Sequence, residues 1–374
     1  MISAFGREIV AAIMAIWRDR GARSTMLLAT LFFAAFFPQP YLHEVVRDMP
    51  VAVIDQDGST LSRELIRRID AADSVAVTRY APDMSAARDM FLRREVYGIV
   101  MVPPRFERDL LAGRSSPIAA YSDGGYFILN SVMSSALSNA ARSLGAVVQL
   151  GRLTAAGVDA SSALAVIEPL RTTIVPLFNP AGGYASFVLP AVFVLILQQT
   201  LLMGIGNLKA GRRSEGGFST LADAVVYVGL YSLWAGVVLV LLPWFYRLPY
   251  IGHLATMYAV VVPFLGAVTA MGFAIARLIP TKEGVIFFLV VLGMPLFFLA
   301  GVSWPAEAMP KALHLVSYAI PSTSALPALV RINQMGADFA SVRGAIVTQL
   351  ILCAVYASIA ILVERLKGKP VVSS

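Results

Sequence analysis

A short apolar run, Val51-Ala52-Val53-Ile54, leads directly into Asp55-Gln56-Asp57-Gly58-Ser59. Two carboxylates placed this way after a strand suit phosphoryl transfer: the first Asp attacks phosphorus and the second acts as general acid. That chemistry also needs a cation to hold the phosphoryl group and a later carboxylate pair for magnesium. Residues 43–183 contain no lysine, and the acids after Asp57 are scattered. The residues read better as a strand-to-helix turn, made by Asp and Gly, with Ser59 or Thr60 capping the next helix. Asn179-Pro180-Ala181 would serve a water pore only as two copies at opposed half-helix ends, and the chain has one. It reads as a helix-entry turn. No Gly-x-x-x-x-Gly-Lys-Ser/Thr and no His-Glu-x-x-His occurs, so neither a phosphate cradle nor that zinc site is present. No catalytic, cofactor-binding or metal-ligating residue is therefore assigned. The most central polar groups of any apolar run are Gln198 and Gln199, which either hydrogen-bond neighbouring helices or line a pathway.

The elements that must position these residues are set by composition. Of 374 residues 57% are hydrophobic and 14% charged, against about a quarter charged in a soluble domain. An α-helical membrane protein is expected. Six runs have the ~20 residues a bilayer-spanning helix needs: Ser24–Leu42, Tyr184–Gly206, Ala222–Leu242, Leu254–Ala276, Gly284–Val302 and Ala345–Val363. Positive charge retained on the cytoplasmic side orients them. Arg7, Arg18, Arg20 and Arg23 precede the first run, Lys209, Arg212 and Arg213 follow the second, and Arg365, Lys367 and Lys369 follow the last. Both termini are thus expected inside a multi-pass membrane protein.

Residues 43–183 then lie outside as an inserted extracytoplasmic α/β domain, with 14 Arg and 15 acids. Of the chain's net +7, the inserted domain contributes −1 and the membrane part +8, so the surplus records topology and contact with anionic lipid, and a nucleic-acid partner is not expected. Strands are predicted at Val51–Ile54, Val75–Thr78, Val96–Val102 and Ile118–Tyr121. Helices are predicted at Ser59–Ile69, Met84–Arg94 and Pro104–Ala112, with Asp83 as an N-cap, followed by a long helix from Tyr126 to Ala156 and a β-like return at Thr172–Phe178. Residues 1–23 carry Ile2, Phe5, Ile9, Ile13, Ile16 and Trp17 at helical spacing, the pattern of an interfacial amphipathic helix. Residues 184–374 form a five-helix membrane domain, within which 303–342 are too apolar for a solvated loop and suit a re-entrant helical hairpin. Cys353 is the single cysteine, and it reads as a packing residue.

This order of elements resembles the ABC-2-type permeases of bacterial ATP-driven exporters, in the multidrug-exporter branch with a large periplasmic domain. The resemblance is carried by Pro50-Val51-Ala52-Val53-Ile54-Asp55-Gln56-Asp57 with Ser62-Arg63-Glu64-Leu65, by Tyr97-Gly98-Ile99-Val100-Met101-Val102-Pro103 with Phe106-Glu107-Arg108-Asp109-Leu110, by Leu177-Phe178-Asn179-Pro180, and by Gly301-Val302-Ser303-Trp304-Pro305 through Ile320-Pro321-Ser322-Thr323. It implies export of a drug-like or lipophilic molecule, powered by a separate ABC ATPase subunit that uses ATP and Mg. It also implies a second permease copy or paralogue and, where an outer membrane exists, a periplasmic membrane-fusion adaptor. The family places its ATPase-coupling element between the second and third spans, here Asn207–Thr220 with Lys209, Arg212, Arg213 and Glu215. A membrane-anchored receptor or scaffold is the alternative, but one anchor would suffice for it.

Overall fold

The computed structural model describes residues 2–41, 46–167, 184–212, 217–246, 250–301 and 309–367. The chain divides into two compact units: Met1–Glu44 together with Pro176–Ser374, and Val45–Val175 inserted between them.

The first unit begins with α1 (Ile2–Arg18). Ala12 and Ile16 are buried, whereas Val10, Ile13, Met14 and Trp17 remain exposed. Asp19 breaks the helix and caps the next one: its carboxylate accepts the Ala22 N–H at 2.9 Å. From there α2 (Arg20–Arg23) passes into a π-helical stretch (Ser24–Ala29) and α3 (Thr30–Phe36). The expected first span, Ser24–Leu42, is therefore shorter and less regular than its composition suggested. Its α-helical hydrogen bonding is interrupted near Met26, whose carbonyl accepts the Thr30 hydroxyl at 3.1 Å and the Trp234 indole N–H at 3.0 Å. Leu42 lies outside the described residues.

The inserted unit is α/β. Its elements are β1 (Met49–Asp55), α4 (Thr60–Asp70), β2 (Val75–Tyr80), α5 (Met84–Leu92), β3 (Gly98–Val102), α6 (Phe106–Leu111), β4 (Ala119–Ser122), α7 (Phe127–Ala155) and α8 (Ala160–Ile167). The strands lie in the order β2-β1-β3-β4. β1 runs parallel to β2 and β3, and β4 closes one edge antiparallel to β3. The two-residue period sorts the central strands between two cores. Val51, Val53 and Val100 pack with Leu65, Ile69 and Met133 on one face, and Ile54 and Ile99 with Ala87 on the other. Helix starts follow their polar residues: Ser59 accepts the Ser62 N–H and Asp83 the Ala86 N–H. The β-like return expected at Thr172–Phe178 lies outside the described residues, as does Asn179-Pro180-Ala181.

The Asp55–Asp57 pair does structural work here. One Asp55 oxygen accepts the N–H groups of Asp57 (3.1 Å) and Gly58 (2.9 Å), and the other accepts the Ser62 hydroxyl (2.8 Å). Asp57 reaches across to the start of α6, accepting the Glu107 N–H at 3.1 Å. Burial pushes the Asp57 pKa up, but the Ser59 hydroxyl and the N–H groups of Glu107, Arg105 and Phe106 outweigh it and hold the carboxyl below its usual range. An acid kept ionised at neutral pH is a poor proton donor. Because the folded pKa is depressed, the anchor is intact above the ordinary carboxylate range and is lost as pH falls through the lowered value. An Asp55→Ala chain should lose about 1–2 kcal/mol of stability through the opened turn. Faster proteolytic nicking between β1 and α4 in the full-length protein would show it. Hydrolysis of phosphate monoesters abolished by Asp55→Asn would contradict the structural role.

The remaining helices complete the first unit: α9 (Tyr184–Lys209), α10 (Gly217–Gly236) continued by a π-helical stretch (Val237–Leu241) and α11 (Leu242–Phe245), α12 (Leu254–Leu278), α13 (Lys282–Leu299), α14 (Lys311–Ser317), α15 (Pro321–Met335) and α16 (Phe339–Lys367). Among the described residues, five helical stretches are long and apolar enough to cross a bilayer: Val188–Lys209, Ser219–Phe245, Leu254–Leu278, Lys282–Leu299 and Phe339–Lys367. α14 and α15 meet at 84° and form a broken span or a re-entrant element. Helices α9 and α12 occupy the interior. α13 turns Phe287, Val290 and Met294 outward, as a lipid-facing helix does. Close approach to α9 is possible because it has Gly204, where an added Cβ would stand 2.3 Å from Met26 Cγ. α1 packs along α10.

Candidate functional site

The first unit holds a cavity of about 300 Å³ between three walls. The π-helical stretch and α3 supply Thr25, Ala29 and Phe33, α9 supplies Ile196, Gln199 and Met203, and α13 supplies Gly293, Leu296 and Phe297. The lining is almost wholly apolar, with a few polar groups at defined points, as in sites that take small lipophilic ligands. Its volume lies at the lower end of the range for such sites, roughly 300–1,000 Å³. It suits an aryl or short alkyl portion of a molecule.

Both glutamines singled out from the sequence line this cavity, and both also join helices. Gln199 Nε2 donates to the Leu289 carbonyl of α13 at 2.7 Å. Gln198, fully buried, accepts the Ser322 N–H at 3.0 Å through Oε1. Its partner lies in the first turn of α15, where Pro321 occupies the N-terminal position. On the other side of that turn Gln349 of α16 donates through Nε2 to the Pro321 carbonyl (2.6 Å) and the Ser324 hydroxyl (2.8 Å). The bend between α14 and α15 is thus clamped by two buried amides. In α9 Thr200 also lines the cavity, and its hydroxyl donates to the Ile196 carbonyl and accepts the Tyr231 hydroxyl.

The stretch expected to couple to the ATPase, Asn207–Thr220, takes in the end of α9 and the start of α10. Lys209 ends α9 and Gly217–Thr220 begin α10, so the turn between the helices is shorter than Asn207–Thr220. The Lys209 ammonium pairs with Asp223, which is buried. Arg212 is exposed, and Arg213 and Glu215 lie outside the described residues. Around this end the helices are tied by further ion pairs, Arg277–Glu364 at 3.0 Å and Asp19–Lys282 at 2.9 Å. Burial raises the Asp19 pKa, but the Ala22 N–H and the Lys282 ammonium outweigh it and hold the carboxyl below its usual range.

Sequence reading missed Asp19, Lys282, Thr25 and Gln349. Asp19 does stand out as the acid within Arg18-Asp19-Arg20, and Gln349 as a long amide in an apolar run. Their partners are far away in the chain and carry no local pattern. Among the described residues no cluster of three or more His, Cys, Asp or Glu side chains could hold a metal ion.

The profile described as ABC-2 family transporter protein matches residues 21–362. The chain is also similar to the linearmycin resistance permease protein LnrN of Bacillus subtilis (strain 168), with 22% identity over 320 residues, which cover 79% of this chain and 82% of that protein.

Proposed function

This chain belongs to the ABC-2 transporter family as a multi-pass membrane permease, and from that premise we propose that it is the membrane subunit of an exporter for lipophilic, drug-like molecules. ATP is hydrolysed by a separate ABC ATPase subunit, since the sequence has no phosphate-cradling motif of its own. The observation that carries the choice of cargo is the 300 Å³ apolar cavity between the π-helical stretch with α3, α9 and α13, with Gln199 at its wall. The resistance function named for the Bacillus relative fits cargo of this kind. In this reading two permeases, identical or paralogous, work with two ATPases in the cytoplasmic membrane, both termini face the cytoplasm, and the α/β unit projects outward, where a membrane-fusion adaptor docks. The exposed Arg212 and its neighbours Arg213 and Glu215 meet the ATPase, while Lys209 serves the fold through Asp223. ATPase closure shifts the helices between two packings, and the cavity changes with them.

Gly293 offers a direct test. An added Cβ there meets only Gln199 Nε2, at 3.7 Å, an ordinary contact. Gly293→Ala should therefore preserve binding of a neutral lipophilic fluorophore to the protein in nanodiscs. Gly293→Phe should weaken it by about ten-fold, the ratio that ~1.4 kcal/mol conveys. Unchanged affinity in the Phe variant would rule the cavity out as the binding site.

A further inference from the structure

The cavity walls are joined at one end through a single carboxylate. Asp19 has two bonds at right angles in purpose. It caps α2, the helix that continues through the π-helical stretch into the wall containing Thr25, Ala29 and Phe33. It also holds Lys282, the first residue of α13, the helix that supplies Gly293, Leu296 and Phe297 to the facing wall. The carboxylate side chain is 15% exposed and the ammonium 37%, so the pair is partly shielded from solvent. The same corner is closely packed: an added Cβ on Gly21 would lie 2.8 Å from Asn207 Oδ1 of α9, so all three walls converge there. Higher up, the Gln199–Leu289 hydrogen bond ties α9 to α13, while Asp19 supplies a polar link between the first wall and the third.

We propose that the Asp19–Lys282 pair is a strap that sets the separation of the two cavity walls, making both of them positioning residues for the lipophilic ligand. Because α1 ends at Arg18, immediately before the strap, a displacement of α1 moves Asp19 and is transmitted to both walls at once. The inference rests on the cavity being the ligand site, but the strap itself is a statement about helix geometry and is measurable without any ligand.

The test uses the full-length chain in nanodiscs, in a Cys353→Ser background, with spin labels at Ala29→Cys and Phe297→Cys reporting the distance across the cavity. Asp19→Asn keeps a capping side chain but removes the charge, and Lys282→Gln removes the other charge. Both should broaden the distance distribution and move it outward. The exchange Asp19→Lys with Lys282→Asp restores opposite charges while abolishing the α2 cap, and it should return the distribution toward that of the parent. Fluorophore affinity should fall on the order of five-fold in each single variant. Unchanged distances in both single variants would overturn the strap, as would a change in Asp19→Asn with none in Lys282→Gln, since the effect would then belong to the α2 cap. If distances respond while the parent protein binds no fluorophore, the strap stands and the cavity reading fails.

Discussion

Replacing Gly211 with Ala is expected to destabilise the protein by about 2 kcal/mol or more, because a left-handed backbone costs an L-residue roughly 1–2 kcal/mol before any contact is considered. Gly211 follows α9 with φ of +72°, and a Cβ there would stand 2.7 Å from the Pro280 carbonyl oxygen. That oxygen is backbone, in the tight turn between α12 and α13, and cannot swing aside as a side chain would. Two penalties therefore coincide at a residue beside the exposed Arg212. Thermal unfolding of the purified protein should show the loss. Gly211→Asn separates the two penalties, since Asn tolerates the left-handed region better but still carries a Cβ. An Asn variant as stable as the parent would mean that the contact with Pro280 is without consequence.

The second large effect concerns the clamp on α15. A Gln198→Leu, Gln349→Leu double variant leaves the Ser322 N–H, the Pro321 carbonyl and the Ser324 hydroxyl without their amide partners. Each buried polar group that loses its partner costs roughly 1–3 kcal/mol, and little water is at hand to compensate inside an apolar helix bundle. The bend should relax, with faster hydrogen exchange at Ser322–Ala325 and a lower unfolding temperature. Equal exchange in the double variant and the parent would show that the bend is held by apolar packing alone.

How much of this was legible in the sequence depended on whether the determinant was local. β1 and β3 could be read because Val51-Ala52-Val53-Ile54 and Ile99-Val100-Met101-Val102 combine β-branched residues with flanking turn formers. Asp83 could be read as a cap because its role needs only the residue three positions on. The apolar lengths of α9, α12, α13 and α16 were equally plain, since a bilayer imposes length and composition on each helix separately. Three things could not be read. The π-helical departure at Ser24–Ala29 leaves the apolar pattern intact, while Trp234, which donates to its Met26 carbonyl, lies in another helix. The cavity draws on three helices that are far apart in the chain. Lys209 carries the charge expected of a cytoplasmic loop, yet its partner Asp223 turns it inward. For Gln198 and Gln199 the sequence left two roles open, helix joining and pathway lining; the structure has each residue joining helices and lining the cavity.

The π-helical stretch also has a consequence for register. A π-turn holds one residue more than the α-turn it replaces, so the segment beyond it is rotated by about 100° relative to an uninterrupted α-helix. Phe33 faces the cavity because of that extra residue. The side chains presented by this wall are thus chosen by a hydrogen-bonding offset that Thr30 and Trp234 stabilise at the Met26 carbonyl. Deleting one residue between Ser24 and Ala29 would keep the composition of the helix almost unchanged and turn a different set of residues toward the ligand.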